Sequence, residues 1–189
     1  MTQERKMWPG LISVSGLNTN NLVFLYESGC NTDMTRRYAY SFGGSRAVDS
    51  IPLSKPKNTA ILSSIQLDET TQYTTFSGGT TEGRFKDYLM NTLLLTMNGD
   101  FMLIMDNMKS YNAKGAKERL AQSGIHYLYL LPYRPDLIPI VKLWSKMKAL
   151  LYKFKARTLD ELPEAIKNAF LEVALSDCVS WFRSCGYVQ

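Results

Sequence analysis

The chain has 189 residues, 45% hydrophobic and 21% charged, with a formal net charge of +5 and a pI near 9.0. That balance excludes a disordered polymer and suits one domain with a sizeable core. It gives a moderate hint of a polyanionic partner. Three cysteines, Cys30, Cys178 and Cys185, lack metal-binding spacing and read as free thiols of a reducing compartment; His126 is the only histidine and opens a strand. No apolar run reaches the roughly 20 residues a membrane span needs. The N-terminus has no signal-peptide core, so a cytosolic protein is expected.

In chain order, "NNLVFLYESG" predicts a short apolar strand over Leu22–Leu25, stopped by Ser28-Gly29. "RRYAYSFGGSR" predicts a second strand ending at Gly43-Gly44. A hairpin follows, with strands near Thr59 to Gln66 and Gln72 to Phe76 and a turn at Asp68-Glu69. Phe85, Tyr88, Leu89 and Leu93 at helical spacing predict a helix from about Glu82 to Met97. "FMLIMDN" is a buried strand running into Asp106. A polar helix over about Ala113–Ser123 closes on Gly124, and "IHYLYLL" is the next strand. Beyond the turn-rich "PYRPDLIP", an apolar stripe from Ile140 through Leu143, Trp144, Met147, Leu150, Leu151 and Phe154 predicts a long helix. Thr158 and Glu161 form a capping-box pattern for another helix reaching about Ala174, and a last short helix lies within 176–184.

An antiparallel meander followed by βαβ crossovers implies an α/β protein: a mixed central sheet with helices on both faces, in the order of an RNase H-like fold. In such a sheet the strands ending at Leu25 and Met105 lie side by side. Tyr26 and Asp106 then emerge at the same edge, and a third group can come from the first turn of the helix after the last strand, at Ile140, Val141 or Lys142.

The blocks "LVFLYESG", "LIMDN" and "PYRPDLIPIVKLW" resemble the three catalytic blocks of DDE transposases of the mariner superfamily, most closely its bacterial insertion-sequence branch. The 34 residues between Asp106 and position 141 match that family's usual separation. The resemblance covers roughly residues 20 to 187 and implies an endonuclease that cleaves and joins DNA with Mg²⁺ or Mn²⁺ held by three carboxylates. It divides the chain into a lead segment, 1–20, and an RNase H-like domain, 21–189, without the helix-turn-helix region that binds transposon ends in the family. It also implies a bacterial cytoplasmic protein, at the nucleoid when on DNA, with no membrane association.

Carried over residue by residue, only Asp106 keeps its acid. Tyr26 stands at the first acid's place and Val141 at the third's. A neutral phenol is a poor ligand for a hard cation and valine is none, so this copy is expected to be catalytically inactive, with metal weakly bound or absent. Glu27 is a poor substitute, because adjacent strand side chains point to opposite faces; Asp136 lies ahead of the helix. Ile138 precedes Pro139 where the family commonly has a capping Asn. The expected loss is about 1 kcal/mol, and Ile138→Asn should recover it. Arg134, Lys142, Lys146 and Lys153 are the candidate DNA contacts, with Lys155 and Arg157 following in a run that holds no acid. The partners expected are DNA and either a second copy, as a homodimer, or an intact transposase; the rival reading is a non-catalytic protein that binds DNA or pairs with an intact transposase.

Overall fold

The structure is a computed structural model and describes residues 18–35, 38, 40–50, 55–97, 101–130 and 135–188. Five strands form one sheet: β1 (Leu22–Asn31), β2 (Asn58–Ile65), β3 (Thr71–Ser77), β4 (Met102–Met105) and β5 (His126–Tyr129). Their order is β3-β2-β1-β4-β5. β1, β2 and β3 pair antiparallel, while β4 joins β1 and β5 joins β4 in parallel. The helices are α1 (Glu82–Tyr88), α2 (Lys114–Ser123), α3 (Pro139–Phe154), α4 (Leu162–Leu171) and α5 (Leu175–Ser184). α1 continues through a π-helical turn, Leu89–Leu93, into a final α turn, Leu94–Thr96.

The alternation of β1 divides the core. Leu22, Phe24 and Cys30 face a layer made by α3, α4 and α5, with Leu143, Trp144, Met147, Ile166 and Phe182 buried in it. Val23 and Leu25 face the opposite layer, where Phe85, Tyr88, Leu89, Leu93, Tyr111 and Leu120 pack. Helices therefore cover both faces, and the central strands β1 and β4 read as continuous apolar runs because both sides are buried.

Local chemistry sets the element ends. The hairpin turns as predicted, with Gln66 N–H donating to Thr70 O at 3.1 Å and Glu69 at φ 66°. Gly124, at φ 72°, ends α2 in the left-handed conformation glycine adopts without strain. The Thr158–Glu161 box is present as reciprocal bonds: Glu161 N–H to Thr158 Oγ1 at 3.2 Å, and Thr158 N–H to Glu161 Oε2 at 3.3 Å. The helix it introduces runs over Leu162–Leu171, shorter than predicted.

Two sequence expectations need correction. Ser28-Gly29 does not stop the first strand: β2 pairs with β1 as far as Asn31↔Asn58, and those ladder bonds hold the extended backbone past the glycine. No described residue within 36–46 is in a strand. Tyr38, Tyr40 and Phe42 are at least 92% exposed, and no strand among the described residues pairs with them. Aromatic β-propensity without a partner does not make a strand.

Candidate active site

Asp106 follows the last residue of β4. Met105 closes the strand by accepting from Leu130 N–H at 2.8 Å, and Met108 O then receives Tyr111 and Asn112 N–H, turning the chain toward α2. The Asp106 carboxyl is half-buried and is pushed up to about 6. Burial is the main cause, the Met108 backbone amide pulls the other way, and the Glu27 charge raises it further. Its Oδ1 is buried without a hydrogen-bond partner.

Tyr26 stands beside it. Leu25 and Met105 are register partners in the parallel pair, so residues 26 and 106 leave the ladder together. The Tyr26 phenol is raised by burial and then by the Asp106 charge, and its ring packs on the α3 side of the sheet.

Val141 is in the first turn of α3, half-buried against that same core. Helix α3 runs along β1. Near its start, Tyr187 OH donates to Leu137 O at 2.8 Å while its ring lies 5.0 Å from Phe24. Further on, the Lys148 charge acts on the Cys30 thiol. Val141 and Tyr26 thus pack against the same core layer, on the α3 side of the sheet.

Ile138 leads into α3 with the extended backbone of an N-cap, φ −117° and ψ 99°, but its side chain accepts no capping hydrogen bond, and Pro139 follows. Among the described residues no three His, Cys, Asp or Glu side chains gather as a metal site. Asp136 is half-buried in a 3₁₀ turn, Pro135–Leu137.

Strand alternation sets Glu27 on the face opposite Tyr26. Glu27 does follow Val23 and Leu25 on the far face, yet its charge reaches Asp106. Facing separates neighbours only inside a sheet. Asp106 lies beyond the last paired residue, so its side chain feels groups from both sides. Tyr111, which sequence reasoning missed, is fully buried nearby. Its phenol is held well above its ordinary range by burial, then by Asp106, Glu27, Tyr88 and Tyr26. Only its position five residues after Asp106 could have flagged it.

The basic run is less uniform than its sequence. Lys142 and Lys153 are exposed on α3. Lys146 instead donates to Asp177 of α5 and is partly buried, so it is engaged in holding two helices together. Lys155 pairs with Asp49 at 2.7 Å, and Arg157 donates to Met34 O at 3.4 Å. The acid-free stretch finds its acids at distant positions. Arg134 and Tyr133 lie outside the described residues. His126 is exposed at the start of β5.

A family model described as DDE superfamily endonuclease matches residues 21–163. No curated protein sequence matches the chain. Among solved structures it is similar to the transposase of the Mos1 mariner paired end complex with Mn, at TM-score 0.77 and 15% identity over 97% of this chain and 60% of that one. It is similar also to a pre-cleavage Mos1 transpososome, at 0.76 and 14% over 95% and 56%. The catalytic domain of Mos1 mariner transposase matches at 0.69 and 12%, over 97% of this chain and 89% of that domain. The chain thus spans less than two thirds of the longer Mos1 chains and most of the isolated catalytic domain. At these identities the likeness establishes the RNase H-like fold.

Proposed function

The chain belongs to the DDE superfamily endonuclease family, and we propose that residues 21–189 are a transposase-type catalytic domain that acts on DNA but in this copy no longer cleaves it. One observation carries the second half. At the three positions that the family motif gives to acids, the sequence holds Tyr26, Asp106 and Val141, of which the first two leave paired strands at the same end. Two-metal phosphodiester chemistry needs a clamp on both the attacking and the leaving oxygen, with the ions about 3.5–4 Å apart. One carboxylate, one phenol raised above its ordinary range and one methyl-bearing side chain do not fit that cluster. No cleavage step is assigned to it.

DNA as the partner is supported by the family and by a Mos1 relative described as a paired-end complex with its left transposon end. Relatives are also described with Mn and with Mg. On this chain the exposed Lys142 and Lys153 are the proposed phosphate contacts. Those lysines also favour a second reading, a non-catalytic DNA-binding or transposase-pairing protein. No helix among the described residues is long and apolar enough to cross a membrane.

The test is supercoiled-plasmid nicking with purified chain in a Mg²⁺ and Mn²⁺ series. The unmodified chain should leave the plasmid intact. The pair Tyr26→Asp with Val141→Glu should nick it. Nicking by the unmodified chain that disappears with Asp106→Asn would overturn the inactive reading.

A further inference from the structure

Strand β1 outruns its parallel neighbour. β4 pairs with it only as far as Leu25↔Met105, while β2 follows it to Asn31↔Asn58. On the face that Val23 and Leu25 share, Glu27, Gly29 and Asn31 stand in a row, and Gly29 and Asn31 lie opposite Ala60 and Asn58. Small residues thus form a floor, and a cleft of about 430 Å³ opens over them, walled by Gly78 and Gly79. That wall is fixed: Gly78 N–H donates to Asn58 O at 3.2 Å, and Arg84 Nη1 donates to Ser77 O at 2.9 Å and to Gly79 O at 2.7 Å. A Cβ placed on Gly29 or Gly79 would meet nothing within 4 Å. The hollow is preformed and of a size that holds small organic groups.

Glu27 closes one end of the row. It is half-buried, its Oε2 has no hydrogen-bond partner, and no Lys or Arg among the described residues pairs with it. An ionised carboxylate only accepts, so it calls for a group with N–H donors. Asn31 stands at the other end, about 13 Å along the strand. Its Oδ1 accepts from Asp33 N–H at 3.0 Å, which leaves its NH₂ to donate. The occupant therefore needs donors at one end and acceptors at the other. A guanidinium or ammonium has no acceptor. Guanine has both: N1–H and N2–H lie side by side, like two arms of a guanidinium fork, and O6 and N7 accept. In a duplex N1–H and N2–H are engaged in pairing, so only an unpaired base presents them, as in sites that read an extruded base by its pairing edge. No Lys or Arg lines the cleft, so nothing there would hold the phosphates of a free nucleotide.

We propose that this cleft takes one unpaired guanine of a DNA strand, with N1–H and N2–H donated to the Glu27 carboxylate and the Asn31 amide donating to an acceptor of the base or its sugar. The choice of occupant rests on the DNA reading above. The cleft is separate from Tyr26, Asp106 and Val141, none of which lines it.

The experiment is fluorescence anisotropy of the full chain with three labelled DNA duplexes in EDTA: one fully paired, one with a single bulged guanine, and one with a bulged inosine, which lacks the N2 amino group. The unmodified chain should bind the guanine bulge about tenfold tighter than the other two, the discrimination of one good bidentate contact. Glu27→Gln should erase that preference yet bind the paired duplex as well as before or better, because removing an acid lowers the repulsion of phosphate. Gly29→Val, whose side chain enters open space on a strand, should erase it by filling the cleft. A guanine bulge bound no tighter than the inosine bulge overturns the proposal, and so does a preference that survives either substitution. Should the variants fold poorly, the unmodified chain is read by NMR: guanosine 5′-monophosphate at millimolar concentration should shift the Gly29 and Gly79 amides, and inosine 5′-monophosphate should not. Equal shifts from both, no shift from either, or shifts from arginine amide alone, the mark of a protein partner, refute it. A chain that binds none of the duplexes refutes the DNA reading instead, and the nucleotide arm still decides the cleft.

Discussion

Replacing Ile138 by Asn sets two local effects against each other, and the structure decides between them. The backbone at Ile138 is already that of an N-cap, and an Asn side chain could accept from a first-turn amide of α3, a gain of about 1 kcal/mol. But Ile138 is only 6% exposed and lies in the core cluster with Leu130, Ile140 and Leu143. Burying an isoleucine side chain is worth about 1.5–3 kcal/mol. Placing an incompletely bonded amide in the same space costs a further 1–3 kcal/mol or so. The capping gain is outweighed. Ile138→Asn should destabilise the chain by about 2–3 kcal/mol, using the lower part of each range. For a chain of this size each kcal/mol moves the melting temperature by about 2–4 °C, so a fall of about 5–10 °C follows. This reverses the expectation from sequence that Asn here would help. Thermal melting and urea unfolding of the two purified chains measure it. A variant melting at or above the unmodified chain would show that Ile138 is not anchored in the core and that capping governs the site.

Four further outcomes can be checked. Tyr26→Asp alone and Val141→Glu alone should each fail to nick plasmid while the pair succeeds, a non-additivity expected of ligands acting as one unit; nicking by either single variant would contradict it. DNA binding should be weak, sequence-independent and steeply weaker at about 200 mM than at 50 mM salt, and Lys142→Glu with Lys153→Glu should reduce it; equal binding at both salts would refute phosphate contact. Asp177 is held below the ordinary carboxylate range by Lys146 first and the Ala174 amide second. Its contribution to stability is therefore present above the unfolded value of about 3.9 and is lost as pH falls through the lower folded value, so Asp177→Asn should flatten that part of the acid-unfolding curve. Burial pushes the Cys30 and Cys178 thiols up to about 11, and Cys185 is buried as well; a thiol reagent at neutral pH should label none of the three in native protein and all of them in urea.

Periodicity determined the elements whose information is local. The apolar runs of β1 and β4, the Asp68-Glu69 turn, the glycine stop of α2, the capping box before α4 and the stripe of α3 are each written in a few neighbouring residues. Chain order then placed β1 beside β4, because a helical crossover between parallel strands leaves few alternatives. That is enough to put Tyr26 and Asp106 at one edge.

Tertiary structure decided whatever depends on a partner distant in sequence. The extension of β1 to Asn31 rests on β2, and the described residues within 36–46 are in no strand because no described strand pairs with them. Lys146 reads as a free cation until Asp177, 31 residues away, is brought beside it. Glu27 reads as pointing away from Asp106 until the end of the ladder lets Asp106 meet both faces. Ile138 reads as a missing cap until the core claims its side chain. Backbone preference and spacing are fixed by adjacent residues and can be read from the sequence. Burial and charge environment are sums over groups that only folding assembles.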